Sequence, residues 1–91
     1  MTTRSAQFVL ALVRKYNRRW GRPLSMGVLH RLVYFAQAEG APINLSFHLH
    51  KYGPYSPELE DILADLKFFR KVEVRLGPGG EAEVVPAPAS R

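Results

Sequence analysis

His48 and His50 are the pair in this 91-residue chain whose spacing most suggests chemistry. Two imidazoles one residue apart on a strand share a face and could both reach one metal ion. A catalytic metal site needs about three protein ligands. The third histidine, His30, falls on a helix, no carboxylate neighbours the pair in sequence, and cysteine is absent. The pair therefore reads as the wet side of a strand, and no metal is expected. Ser46 and Ser56 could attack a carbonyl only beside a base and within a glycine-framed elbow, and neither has that frame. Gly77-Pro-Gly-Gly80 lacks the lysine and the following helix of a phosphate loop. The absence of cysteine also removes disulfides and thiolate nucleophiles. No cofactor is implied, and the expectation is a protein that is not an enzyme.

Charge is more informative than any nucleophile. Residues 1–38 carry seven cations and no carboxylate, whereas residues 39–91 carry six cations against eight acids. Such asymmetry points to two surfaces with different partners, or to a basic helix merely solvated by water. Hydrophobic residues make up 46% and charged residues 23% of the chain, so a folded core is expected. No apolar run approaches the ~20 residues that span a bilayer. The opening Met-Thr-Thr-Arg-Ser lacks the layout of a signal peptide, and a cytoplasmic location with no membrane partner is the expectation.

Positioning these groups requires a small set of elements. Phe8, Val9, Leu12, Val13, Tyr16 and Trp20 recur at helical spacing and predict a first helix over residues 5–20, ended by Gly21 and Pro23. A second helix is predicted from Met26 to about Glu39, with Ser25 as N-cap and Gly40 as the left-handed stop. Met26, Val28, Leu29, Leu32, Val33, Phe35 and Ala36 form its apolar arc, and His30, Tyr34 and Gln37 its polar face. From Leu45 to Tyr52 the pattern alternates, with Leu45, Phe47 and Leu49 on the inward side of a half-buried strand. Tyr52-Gly-Pro-Tyr-Ser-Pro57 is a stiff connection ending in an N-cap serine and a first-turn proline. A third helix follows to about Arg70 with a core stripe of Leu59, Ile62, Leu63, Leu66 and Phe69. Residues 72–76 and 82–85 around the glycine-rich turn predict a hairpin. Residues 1–85 then make one domain and residues 86–91 a loose tail.

The resulting fold class is α+β and mainly helical: three helices, a short strand and a C-terminal β-hairpin wing, in the layout of a winged helix. The residues Leu32-Val-Tyr-Phe-Ala-Gln37 followed by Lys51-Tyr-Gly-Pro-Tyr-Ser-Pro-Glu-Leu59 also carry a family resemblance. The stretch from His30 to about Leu66, roughly 40 of the 91 residues, resembles the YwgA-like phage-associated proteins, the related Panacea antitoxin domains and the C-terminal domain of DarG-type antitoxins. That resemblance implies a winged-helix-like module which binds a protein partner, a toxin among the candidates, without catalysis. The macro domain of DarG-type proteins has no room here, so its activity is not implied.

Two candidate surfaces follow. In the usual winged-helix docking the third helix enters the major groove, where Glu58, Asp61 and Asp65 would repel phosphates. Asp61 and Asp65 lie one turn apart beside Phe68, opposite the core stripe, and suit a cationic protein surface instead; alternatively Phe68 tucks under the wing. Tyr52 and Tyr55 flank the stiff turn, either as a recognition surface or as seals on the helix end. The expected partner-binding set is thus Tyr52, Tyr55, Glu58, Asp61, Asp65 and Phe68. The alternative is a small DNA-binding regulator using Arg14, Lys15, Arg18, Arg19 and Arg22 with Lys71 and Arg75 on the wing. A homodimer pairing basic and acidic faces is a third arrangement.

Overall fold

Ser25 and Ser56 cap helices as their positions predict. Ser25 Oγ accepts the N–H of Val28 at 3.3 Å, and Ser56 Oγ accepts the N–H of Leu59 at 3.2 Å. In the computed structural model, which describes residues 3–88, the elements run α1 (Thr3–Trp20), β1 (Leu24–Ser25), α2 (Met26–Ala38), β2 (His48–His50), β3 (Gly53–Tyr55), α3 (Pro57–Phe68), β4 (Val72–Leu76) and β5 (Ala82–Pro86). The architecture is α+β. One antiparallel sheet has the order β1-β5-β4, and β2 pairs with β3 in a separate two-stranded hairpin.

The core sits where the three helices meet the larger sheet. Val9 and Val13 of α1, Leu29 and Val33 of α2, and Leu59, Leu63 and Leu66 of α3 pack on Leu24, Val72 and Val84. Burying each such aliphatic side chain contributes about 1.5–3 kcal/mol. The Val72–Val85 hairpin forms as read, with Val74 opposite Val84 and Gly77 N–H donating to the Glu81 carbonyl at 2.7 Å. It also carries a partner that periodicity could not reveal: Leu24 and Ser25 pair with Val84 and Glu83 and extend the sheet by one strand.

Several expectations are corrected. The strand expected over residues 45–52 shrinks to His48–His50, and Leu49 is 76% exposed while Leu45 is buried and Phe47 half-buried. The hairpin packs on α2 through the face that carries Tyr55, and alternation puts Leu49 on the other, uncovered face. The Tyr-Gly-Pro-Tyr segment is a strand rather than a plain turn, because Gly53–Tyr55 pairs with His48–His50. Helix α3 stops at Phe68, and Phe69, expected in the core stripe, is its exposed C-cap. Arg70 next to it takes the left-handed conformation, φ 61°, and Lys71 N–H reaches back to the Leu66 carbonyl at 2.8 Å. Trp20 and Phe35, placed on apolar stripes by spacing, are exposed. Pro86, assigned to the tail, ends β5, and Ala87 N–H donates to the Lys71 carbonyl at 3.0 Å. Of the expected loose tail, residues 89–91 lie outside the described residues.

The polar face of α2 is the largest correction. His30 is buried at 3% exposure, not set toward solvent, because the β2–β3 hairpin and the start of α3 cover it. Gln37 binds the backbone of Leu45 twice: its amide nitrogen donates to the carbonyl at 2.9 Å and its oxygen accepts the N–H at 2.8 Å. Tyr34 packs edge-on against Phe47, ring centroids 5.3 Å apart. The face that reads as wet in sequence is the seat of the segment joining α2 to α3.

Candidate interaction surfaces

The buried centre of this region is a three-part relay. Ser56 N–H donates to Nδ1 of His30 at 3.1 Å, so Nδ1 carries a lone pair and the ring proton sits on Nε2. Nε2–H then donates to Oε2 of Glu60 at 3.0 Å. Tyr55 stacks on the imidazole with centroids 4.8 Å apart and planes 18° from parallel. Ser56 holds its hydroxyl against Leu59 N–H and presents its backbone, not its Oγ, to His30. The trio fixes the entry of α3 and has no hydroxyl poised as a nucleophile.

The expected partner-binding residues fall into three neighbourhoods. Glu58, Asp61 and Asp65 are exposed and border a groove with Arg4, Asn44 and Leu45 between α1, α3 and the loop before β2. Glu58 is partly committed, since its Oε1 accepts the N–H of Ser46 at 2.5 Å. Among the described residues no lysine or arginine forms an ion pair with Asp61 or Asp65. Phe68 is 78% exposed and does not tuck under the wing; it meets Phe69 edge-on at 5.1 Å. One turn of α3 separates this exposed aromatic pair from Asp65. Tyr52 is 84% exposed at the hairpin tip, while Tyr55 is half committed to His30. The 12 residues of α3 span about 18 Å, and Phe68 at its C-terminal end stands apart from Tyr52, which precedes its N-terminus.

The cations of the alternative set are also outward. Arg14, Lys15, Arg18, Arg19 and Arg22 are all exposed, and Arg19 lies over the Trp20 ring, 5.2 Å from its centroid. Lys71 and Arg75 are exposed as well, but β4 is the opposite edge of the sheet from β1, with β5 between. His48 and His50 are exposed, their rings edge to face at 6.4 Å. Among the described residues no group of three or more His, Cys, Asp or Glu side chains could hold a metal. No described helix is long and apolar enough to cross a membrane.

Sequence reasoning missed Glu60 and His30 as positioning residues and Phe69 as a surface aromatic. The signal was missing because a pair 30 residues apart leaves no local pattern. Comparison of the chain with protein-family models, with curated proteins and with solved structures finds no match in any of the three.

Proposed function

We propose that this chain is a non-enzymatic interaction module of winged-helix-like layout that binds a protein partner through the outer face of α3. The layout is supported by the order of helices and strands, with β1 closing on β5 and β5 on β4, and with the β2–β3 hairpin inserted ahead of α3. One observation carries the partner reading: Asp61 and Asp65, free of cationic partners among the described residues, stand beside an aromatic pair left bare to solvent. An exposed aromatic pair supplies the anchor of a hot spot, and carboxylates held in no ion pair supply a complementary rim. A cationic partner surface suits it, and a toxin that handles nucleic acid is one such partner. The same carboxylates argue against seating α3 in a DNA groove.

A second reading is favoured by the exposed cations of α1. Nucleic acid held along Arg14, Lys15, Arg18, Arg19 and Arg22 would leave α3 free for a protein. The two readings separate by site-specific photo-crosslinking in producing cells. A photoreactive residue at position 68 should capture a protein, and one at position 18 should not. Capture of nucleic acid from position 18, with nothing captured from position 68, would replace the first reading by the second.

A further inference from the structure

The Tyr-Gly-Pro-Tyr segment has a role that neither charged face explains. It walls one side of a cleft of about 400 Å³, open to solvent, between the first turn of α2, the start of α3 and the hairpin. Tyr52 and Tyr55 line it, and His50 stands edge-on to Tyr55 with centroids 5.4 Å apart. Glu60 is the one carboxylate on the lining, and no lysine or arginine lines it. Its side chain is 37% exposed, and the His30 bond at Oε2 holds the carboxylate in place while Oε1 has no partner among the described residues. Gly27 leaves the rim open, since a Cβ built there meets nothing within 4 Å.

We infer that this cleft receives an arginine side chain of the protein partner. A guanidinium is flat, weakly hydrated and always charged, so it stacks on tyrosine faces and donates to a carboxylate at the same time. A purely apolar anchor would desolvate Oε1 of the fixed Glu60 carboxylate without offering it a donor, which disfavours it. The chain's own Lys51 shows that the Tyr52 ring accepts a cation, because Nζ sits 5.8 Å from its centroid. Lys51 and the nearby Arg31, whose Nη1 donates to the Tyr52 carbonyl at 3.4 Å, are like charges that keep a single guanidinium weakly bound. Anchoring then depends on the rest of the interface. The inference rests on the protein-partner reading for its setting, but its chemistry stands alone.

The test is NMR titration of the intact chain with N-acetyl-L-arginine methylamide, following the ring signals of Tyr52, Tyr55 and His50, with the citrulline analogue as the uncharged isostere. The expected result is saturable shifts at millimolar probe and at least about tenfold weaker binding of citrulline. Glu60→Gln should weaken arginine binding by about tenfold, and Lys51→Met should strengthen it by a few fold. Gly27→Gln, at an exposed helical position, should abolish it while leaving the fold intact. Absence of ring shifts, or equal binding of citrulline, overturns the inference. Asp61→Lys/Asp65→Lys should bind the probe as the parent does, so a failed cleft and a failed α3 face give different results. If the probe binds but the partner ignores the α3 charges, only the functional reading falls. If the partner needs those charges and the probe never binds, only the cleft falls.

Discussion

His30 offers the sharpest test of how the hairpin and α3 are joined. Replacing it by alanine removes the acceptor of Ser56 N–H, and Ser56 is fully buried, so that donor is left without a partner. An unsatisfied buried N–H costs about 1–3 kcal/mol. Loss of the stacked Tyr55 contact adds about 0.5–1.5 kcal/mol. The sum, about 1.5–4.5 kcal/mol before any cavity effect, is a large share of the ~5–14 kcal/mol expected for a domain of 91 residues. Asparagine places its Oδ1 near the position of Nδ1 and can keep the Ser56 bond while giving up Glu60. His30→Asn should therefore lose about 1–2 kcal/mol, clearly less than His30→Ala. Urea unfolding reads both: with a slope of ~1 kcal/mol/M, the alanine variant moves the midpoint down by about 1.5–4.5 M and the asparagine variant by about 1–2 M. Two results would refute the relay. One is an alanine variant within 0.5 kcal/mol of the parent, on the order of an ordinary surface change. The other is an asparagine variant as unstable as alanine.

Three further outcomes follow from the same packing. Ser56→Ala removes the cap on Leu59 N–H and should cost about 1–2 kcal/mol in urea or thermal unfolding, with the α3 amides losing hydrogen-exchange protection first. Leu29→Ala, in the core, should cost about 2–5 kcal/mol, whereas Leu49→Ala on the bare hairpin face should stay within about 0.5 kcal/mol; similar costs would restore the alternating strand expected from sequence. Arg70→Gly relieves a left-handed backbone that costs a side-chain-bearing residue about 1 kcal/mol, and should raise the midpoint slightly; a loss of stability would mean that the Arg70 side chain makes a contact worth more than the strain.

Much of the scaffold was legible in sequence because helices announce themselves through period and caps. Ser25 and Ser56, Gly40 and the prolines punctuate the chain at both ends of α2 and at the start of α3. What escaped has a common physical cause. The two-residue β1 has no period, and β3 consists of Gly53, Pro54 and Tyr55, which read as a turn until His48–His50 lies beside them. Helical spacing assigned His30 and Gln37 to solvent because amphipathicity identifies a polar face without saying what satisfies it. Here the satisfying groups are the backbones of Leu45 and Ser56 and the Glu60 carboxylate. Trp20 and Phe69 were placed inside by the same rule, which does not register that a terminal turn overhangs the core. The acidic side of α3 was legible from spacing, since Leu59, Leu63 and Leu66 turn Asp61 and Asp65 outward. That Phe68 would be bare, and that Tyr52 would stand apart from it, required the tertiary arrangement.

The most direct measurement is the affinity of the partner captured through position 68 for the parent chain and for Asp61→Lys/Asp65→Lys, by calorimetry at two salt concentrations. Reversing two rim charges against a cationic surface should weaken binding by about tenfold or more, with the gap narrowing at high salt and the unfolding midpoint unchanged. Equal affinity for both chains, in a variant that folds normally, would contradict an α3-centred interface.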